Sequence, residues 1–104
     1  MPKTKKTHKL ALQHPGEYLR SVLEDAGLSA NAVALALRVP GNRLTEILNG
    51  RRAITADTAM RLGRYFGTSA QMWMNLQAKY DLEAAEEKLA ERIEIEVQPI
   101  QRAS

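Results

Sequence analysis

Between Ala30 and Ile47 the chain reads ANAVALALRVPGNRLTEI, and the reading of this stretch decides the fold. Ala30 to Leu37 is rich in alanine, with Val33 and Leu37 four apart and Ser29 in front as an N-cap. From Gly41 the apolar residues return at helical spacing as Leu44, Ile47 and Leu48, and Asn49-Gly50 ends the run. Two short helices joined by a turn of three or four residues make a helix-turn-helix, whose second member can enter the major groove of DNA. The inward positions should be Val33, Leu37, Val39, Leu44 and Ile47, and all five are aliphatic. The fifth residue of the unit, where the helices cross closely, must be small and is Ala34. One requirement is missed: the turn position, where a left-handed backbone favours glycine, holds Arg38, at a cost of about 1 kcal/mol.

With Leu44, Ile47 and Leu48 turned inward, the other face of the third helix presents Asn42, Arg43, Thr45, Glu46 and Asn49. Arginine pairs with the guanine edge, asparagine with adenine, and glutamate accepts from cytosine. Asn42, Arg43, Thr45 and Glu46 are therefore the expected base readers. Ser29, Asn31 and the helix start at Gly41 offer short polar groups and backbone amides to phosphates, Asn49, Arg51 and Arg52 should grip the DNA backbone, and Arg38 either reaches a phosphate or is a tolerated surface arginine. The rival reading is a solvated helix face, with Arg43 and Glu46 three apart forming an intrahelical ion pair worth a few tenths of a kcal/mol, on the order of 0.3.

Working outward, four more helical segments are expected. Pro15 opens the first, with Glu17 in its first turn, a stripe of Tyr18, Leu19, Val22 and Leu23, and Gly27 at its end. Thr55 caps the fourth, which buries Ala59, Leu62, Tyr65 and Phe66 before Gly67, and Ser69 caps the fifth, with Met72, Trp73, Leu76 and Tyr80. In the last segment, Leu82, Ala85, Leu89, Ile93 and Val97 step by three and four, giving a sixth, acidic helix that ends before Pro99. RIEIEV alternates like a strand, so a short strand at 93–97 is the alternative. The expected architecture is all-α: a helix-turn-helix bundle of five helices plus this C-terminal helix. A basic, mobile arm is assigned to residues 1–13, the DNA-binding domain to 14–80 and a dimerising tail to 81–104.

Composition narrows the function. In 104 residues there is no cysteine and only His8 and His14, which excludes a disulfide framework or thiolate zinc site and makes any metal or other cofactor unexpected. No apolar run is long enough to span a membrane, and MPKTKKTHKL lacks the features of a secretory signal, so a cytoplasmic protein is expected. Residues 1–52 carry nine Lys and Arg against four acids, whereas residues 81–97 carry seven acids against two bases. Alone, that asymmetry is better read as a solvated helical surface; joined to the helix-turn-helix pattern, it suits a chain that meets a polyanion with one end.

The stretches HPGEYL and GNRLTEILNGRRAITADTAMRLGRYFGTSAQMWMNLQAKYDLE closely resemble the HigA antitoxin family, also described as virulence-associated protein I, within the lambda-repressor-like helix-turn-helix class. The similarity spans about residues 14–97. It implies a dimeric repressor of its own toxin–antitoxin operon that neutralises a HigB-type mRNA-cleaving toxin. Two positions depart from the family pattern: Ala30 stands where a glutamine is common, and Arg38 where the turn glycine is.

The expected partners are thus double-stranded operator DNA, a HigB-type toxin and a second copy of the chain. The stripe of Met72, Trp73, Leu76 and Tyr80 reads either as intramolecular core or as interface; Trp73, with Leu82, Leu89, Ile93 and Val97, is assigned to the interface because the narrow stripe of the last helix needs a partner surface. A stand-alone repressor without a toxin is the alternative function. Catalysis by His14 beside Glu17 is set aside, since no second placed histidine, cysteine or phosphate loop accompanies them, and His14 is expected to cap or pack. A protein-binding module that has lost DNA affinity fits poorly with Arg43, Arg51 and Arg52 on the polar face.

Overall fold

The computed structural model describes residues 13–101, so the expected arm, apart from Gln13, lies outside the described residues. Among the described residues five helices follow one another: α1 (Pro15–Ala26), α2 (Ala30–Leu37), α3 (Gly41–Leu48), α4 (Ala56–Phe66) and α5 (Ala70–Glu96). No strand occurs among the described residues.

Side-chain caps start four of the five helices, whereas α3 begins after Pro40 without one. His14 Nδ1 accepts a hydrogen bond from the Gly16 amide at 2.9 Å, with Pro15 in the first turn of α1. Ser29 Oγ accepts from the Ala32 amide at 3.1 Å, and Ser69 Oγ from the Met72 amide at 3.0 Å. Thr55 Oγ1 faces the Thr58 amide at a longer 3.5 Å. His14 also sets its ring edge-on to Tyr80, 5.0 Å between centroids, so it both caps and packs.

The core is filled by Leu19 and Leu23 of α1, Val33, Ala34 and Leu37 of α2, Leu44, Ile47 and Leu48 of α3, Ala59 and Leu62 of α4, and Val39, Ile54 and Trp73. Every inward position of the helix-turn-helix unit is in it. Gly16 explains how α1 crosses α3: a Cβ there would overlap the Ile47 carbonyl oxygen and lie 3.1 Å from Leu48 Cα. Only glycine admits that approach. Arg20, one turn further along α1, donates through Nη2 to the Leu48 carbonyl at 3.1 Å and to Asn49 Oδ1 at 3.2 Å, satisfying the exposed end of α3.

Three sequence expectations need correction. The fifth and sixth helices are one: α5 runs 27 residues, about 40 Å at 1.5 Å per residue, because no glycine or proline interrupts Ala70–Glu96. Gln77–Asp81, Lys79–Glu83 and Arg92–Glu96, each four apart, stitch its surface, and the chain turns extended at Val97, ahead of Pro99. This continuity also removes the strand alternative at 93–97, as residues 93–96 are helical. Trp73 is not an interface residue: it is 1% exposed, its ring is edge-on to Tyr18 at 5.5 Å, and Nε1 donates to Thr68 Oγ1 at 2.9 Å. Finally, Tyr65, expected in the core, is 42% exposed and leans on Phe66 from outside.

Gln77 supports the segment after α3. Its Oε1 accepts from the buried Ile54 amide at 2.7 Å while Nε2 donates to Asp81 Oδ1. The loop carrying Arg51 and Arg52 is thereby tied to α5.

Candidate nucleic-acid interface

The turn between α2 and α3 sets the geometry of the interface. Arg38 has φ 61° and ψ 44°, the one positive φ outside glycine among the described residues, so the left-handed turn forms despite its side chain. Its amide donates to the Leu35 carbonyl, and Val39 returns to the Ala34 carbonyl at 3.0 Å. The turn therefore closes over Ala34, and its small side chain lets Val39 dip into the core.

This arrangement leaves the outer face of α3 free of the protein's own core. Asn42 and Thr45 are exposed, with Thr45 Oγ1 donating back to the Gly41 carbonyl at 3.1 Å. Arg43 and Glu46 are half-buried, and they do not pair with each other. Arg43 Nη1 lies 3.2 Å from Asp57 Oδ2, in the first turn of α4. Glu46 instead receives Arg52, with Nε 2.7 Å and Nη2 2.6 Å from Oε1. The intrahelical pair suggested by their spacing is thus replaced by two ties to the following segment.

The expected phosphate-facing residues are distributed around this face. Ser29 uses its hydroxyl to cap α2; Asn31, Arg38, Gly41 and Arg51 are exposed; Asn49 has its Oδ1 engaged by Arg20; and Arg52 is held by Glu46. Arg38, Arg43, Arg52 and Arg61 line an open cleft of about 480 Å³, floored by Thr55, Asp57 and Thr58 at the start of α4. Its four guanidinium groups outnumber the two carboxylates that pair with them, Asp57 and Glu46, so the cleft is positive beside a helix N-terminus and suits anionic oxygen.

Sequence reasoning overlooked Asp57 and Arg61 as members of this constellation. Arg61 Nε donates to both oxygens of Asp57, at 3.2 and 3.1 Å, and its Nη1 donates to the Leu37 carbonyl at 2.9 Å. Their four-residue spacing was legible as a helix pair, but the tie to Arg43, fourteen residues away, depends on how α4 packs against α3. Arg20, which ties α1 to the end of α3, likewise carries no local sequence signal for that contact.

Among the described residues no three His, Asp or Glu side chains gather as metal ligands, and no helix is long and apolar enough to cross a membrane. A model of a helix-turn-helix domain matches residues 16–72. Virulence-associated protein I of Dichelobacter nodosus is 56% identical over 75 residues, covering 71% of this chain and 69% of that protein. A solved addiction module antidote protein of a HigA family from Coxiella burnetii is 48% identical with a TM-score of 0.80, over 85% of this chain and 97% of that one. The Pseudomonas aeruginosa antitoxin HigA, solved with the higBA promoter, is 46% identical with a TM-score of 0.82, over 86% and 98% of the two chains. With a helix-turn-helix whose outer face stands open and whose flanks are basic, the chain belongs to the helix-turn-helix family of the HigA antitoxins and virulence-associated protein I, a family of DNA-binding regulators rather than enzymes.

Proposed function

We propose that the chain acts in the cytoplasm as a HigA-type antitoxin, a homodimer that represses its own operon and neutralises a HigB-type mRNA-cleaving toxin by direct binding. The observation that carries the DNA half is the open face of α3 beside the four-arginine cleft. In this reading α3 enters the major groove, Asn42, Arg43, Thr45 and Glu46 face base edges, and Ser29, Asn31, Arg38, Gly41, Asn49, Arg51 and Arg52 contact phosphates. The likeness to an antitoxin solved with its promoter supports it.

The second copy belongs on the distal half of α5. Leu82, Leu89, Ile93 and Val97 are 62%, 38%, 49% and 61% exposed, and Leu82, Ile93 and Val97 line a groove with Ala85, Ala90 and Pro99 that is edged by Glu86 and Glu94. Apolar surface of this kind favours a partner, and a twofold pair whose recognition helices stand about 34 Å apart reads a palindrome.

Titrating the protein against DNA from upstream of its own gene and against a scrambled duplex tests the repressor role. Tighter binding to the upstream DNA, weakening steeply as salt rises, is the expected result; equal affinity for both would sink it. The toxin half is tested by purifying the chain from its source cell and identifying what comes with it. A small basic ribonuclease at equal stoichiometry supports the antitoxin reading, whereas absence of a partner when the neighbouring genes are expressed leaves a stand-alone repressor.

A further inference from the structure

We propose that Asp57 is a positioning residue for base reading, which aims Arg43 and is itself held in place by Arg61. The proposal rests on the reading of Arg43 as a base reader. It concerns two residues on α4 that are not in the reading set.

The four groups form one chain of hydrogen bonds. The Leu37 carbonyl accepts from Arg61 Nη1 at 2.9 Å, Arg61 Nε meets both Asp57 oxygens at 3.1–3.2 Å, and Asp57 Oδ2 accepts from Arg43 Nη1 at 3.2 Å. It starts on the last residue of α2, whose carbonyl has no helical partner, crosses α4 and ends on α3. Each joint is polar and at least partly exposed, so the chain adds little to stability by itself. Its geometric consequence is larger.

A guanidinium carries five N–H donors in a rigid plane. Asp57 engages only Nη1 of Arg43, so the edge formed by Nε and Nη2 keeps two near-parallel donors, the set that matches O6 and N7 of guanine. A free arginine must give up several rotatable bonds to present that edge. Arg43 gives up part of that freedom before DNA arrives, because its tip is tied to a carboxylate that Arg61 holds by two oxygens. The expected effect is on discrimination between bases rather than on overall affinity.

Opposite charges on the two supporting residues give a clean test. Operator duplexes varied one base pair at a time are titrated with the wild-type chain, Arg43→Ala, Asp57→Ala and Arg61→Met, alongside an unrelated duplex. Removing the acid should tighten binding to the unrelated duplex and removing the base should weaken it. Both variants should nevertheless lose about threefold or more of the discrimination at the base step that Arg43→Ala flattens, and neither should lose more when combined with Arg43→Ala. If discrimination survives in both while Arg43→Ala abolishes it, or if Asp57→Ala still lowers it once Arg43 is gone, the proposal is overturned. If Arg43→Ala flattens no step, the base-reading assignment falls and the proposal with it. Should Arg61→Met not fold for want of a donor to the Leu37 carbonyl, the Asp57 and Arg43 double-mutant cycle decides alone.

Discussion

Gly16 of α1 lies so close to the Ile47 carbonyl of α3 that no side chain fits between them. The recognition helix therefore rests on bare backbone, and the angle at which it leaves the core depends on one missing methyl group.

Gly16→Ala is expected to cost about 2–3 kcal/mol, since the added Cβ meets backbone atoms that cannot step aside as a flexible side chain would. Chemical denaturation of the two proteins measures it. A variant as stable as the wild type would show that α1 and α3 can separate freely.

Arg38→Gly should act in the opposite direction on stability. The left-handed φ of 61° is strained for arginine and free for glycine, so the variant is expected to gain about 0.5–1 kcal/mol after the extra freedom of unfolded glycine is counted. If Arg38 contacts a phosphate as proposed, operator affinity should fall, with a salt slope smaller by about 1. Unchanged affinity would place Arg38 off the DNA.

Arg43→Ala and Arg52→Ala should differ in kind. The first should cost about 1–3 kcal/mol on the preferred operator and relax preference at one base step, whereas the second should weaken every duplex, with any change of preference confined to the step faced by Glu46, which Arg52 holds. Binding curves across operator variants separate them, and identical profiles would undo the division into reader and gripper.

His14 gives the fold a pH dependence. Burial pushes its pKa below 6.5, against the opposing pull of Asp81, the Arg52 backbone and Glu17. The unfolded chain thus binds more protons than the folded one between the lowered pKa and 6.5. The contribution of His14 is fully present above 6.5 and is lost as pH falls towards the lowered value. His14→Asn keeps an N-cap that does not titrate and should flatten this part of the stability curve. Parallel wild-type and variant curves would remove His14 as its source.

The helix-turn-helix was legible because its rules are local: aliphatic residues at fixed spacing, Ala34 at the crossing and a turn at Arg38 all lie within one short stretch. Arg43 and Glu46 were legible as outward-facing, but not as partners of Asp57 and Arg52, since those ties depend on where α4 and its preceding loop pack. Trp73 left core and interface both open for a related reason. Helical spacing shows that it shares a face with Leu76 and Tyr80, whereas only the packing of Tyr18 and Phe66 against it decides that this face looks inward. A break near Asp81 was read into a helix in which nothing enforces one.

That unbroken helix fixes a phase. Between Trp73 in the core and Ile93 far outside it, α5 has no glycine or proline to absorb a twist. The compass bearing of the distal apolar stripe is thus locked to that of α3. Inserting one residue between Ala84 and Ala85 would swing Leu89, Ile93 and Val97 by about 100° relative to Leu82 and the core, while inserting seven would bring them back to within about 20°. In a dimer joined along that stripe, the spacing of the two reading heads would be written into residue count, as thread pitch is written into a screw.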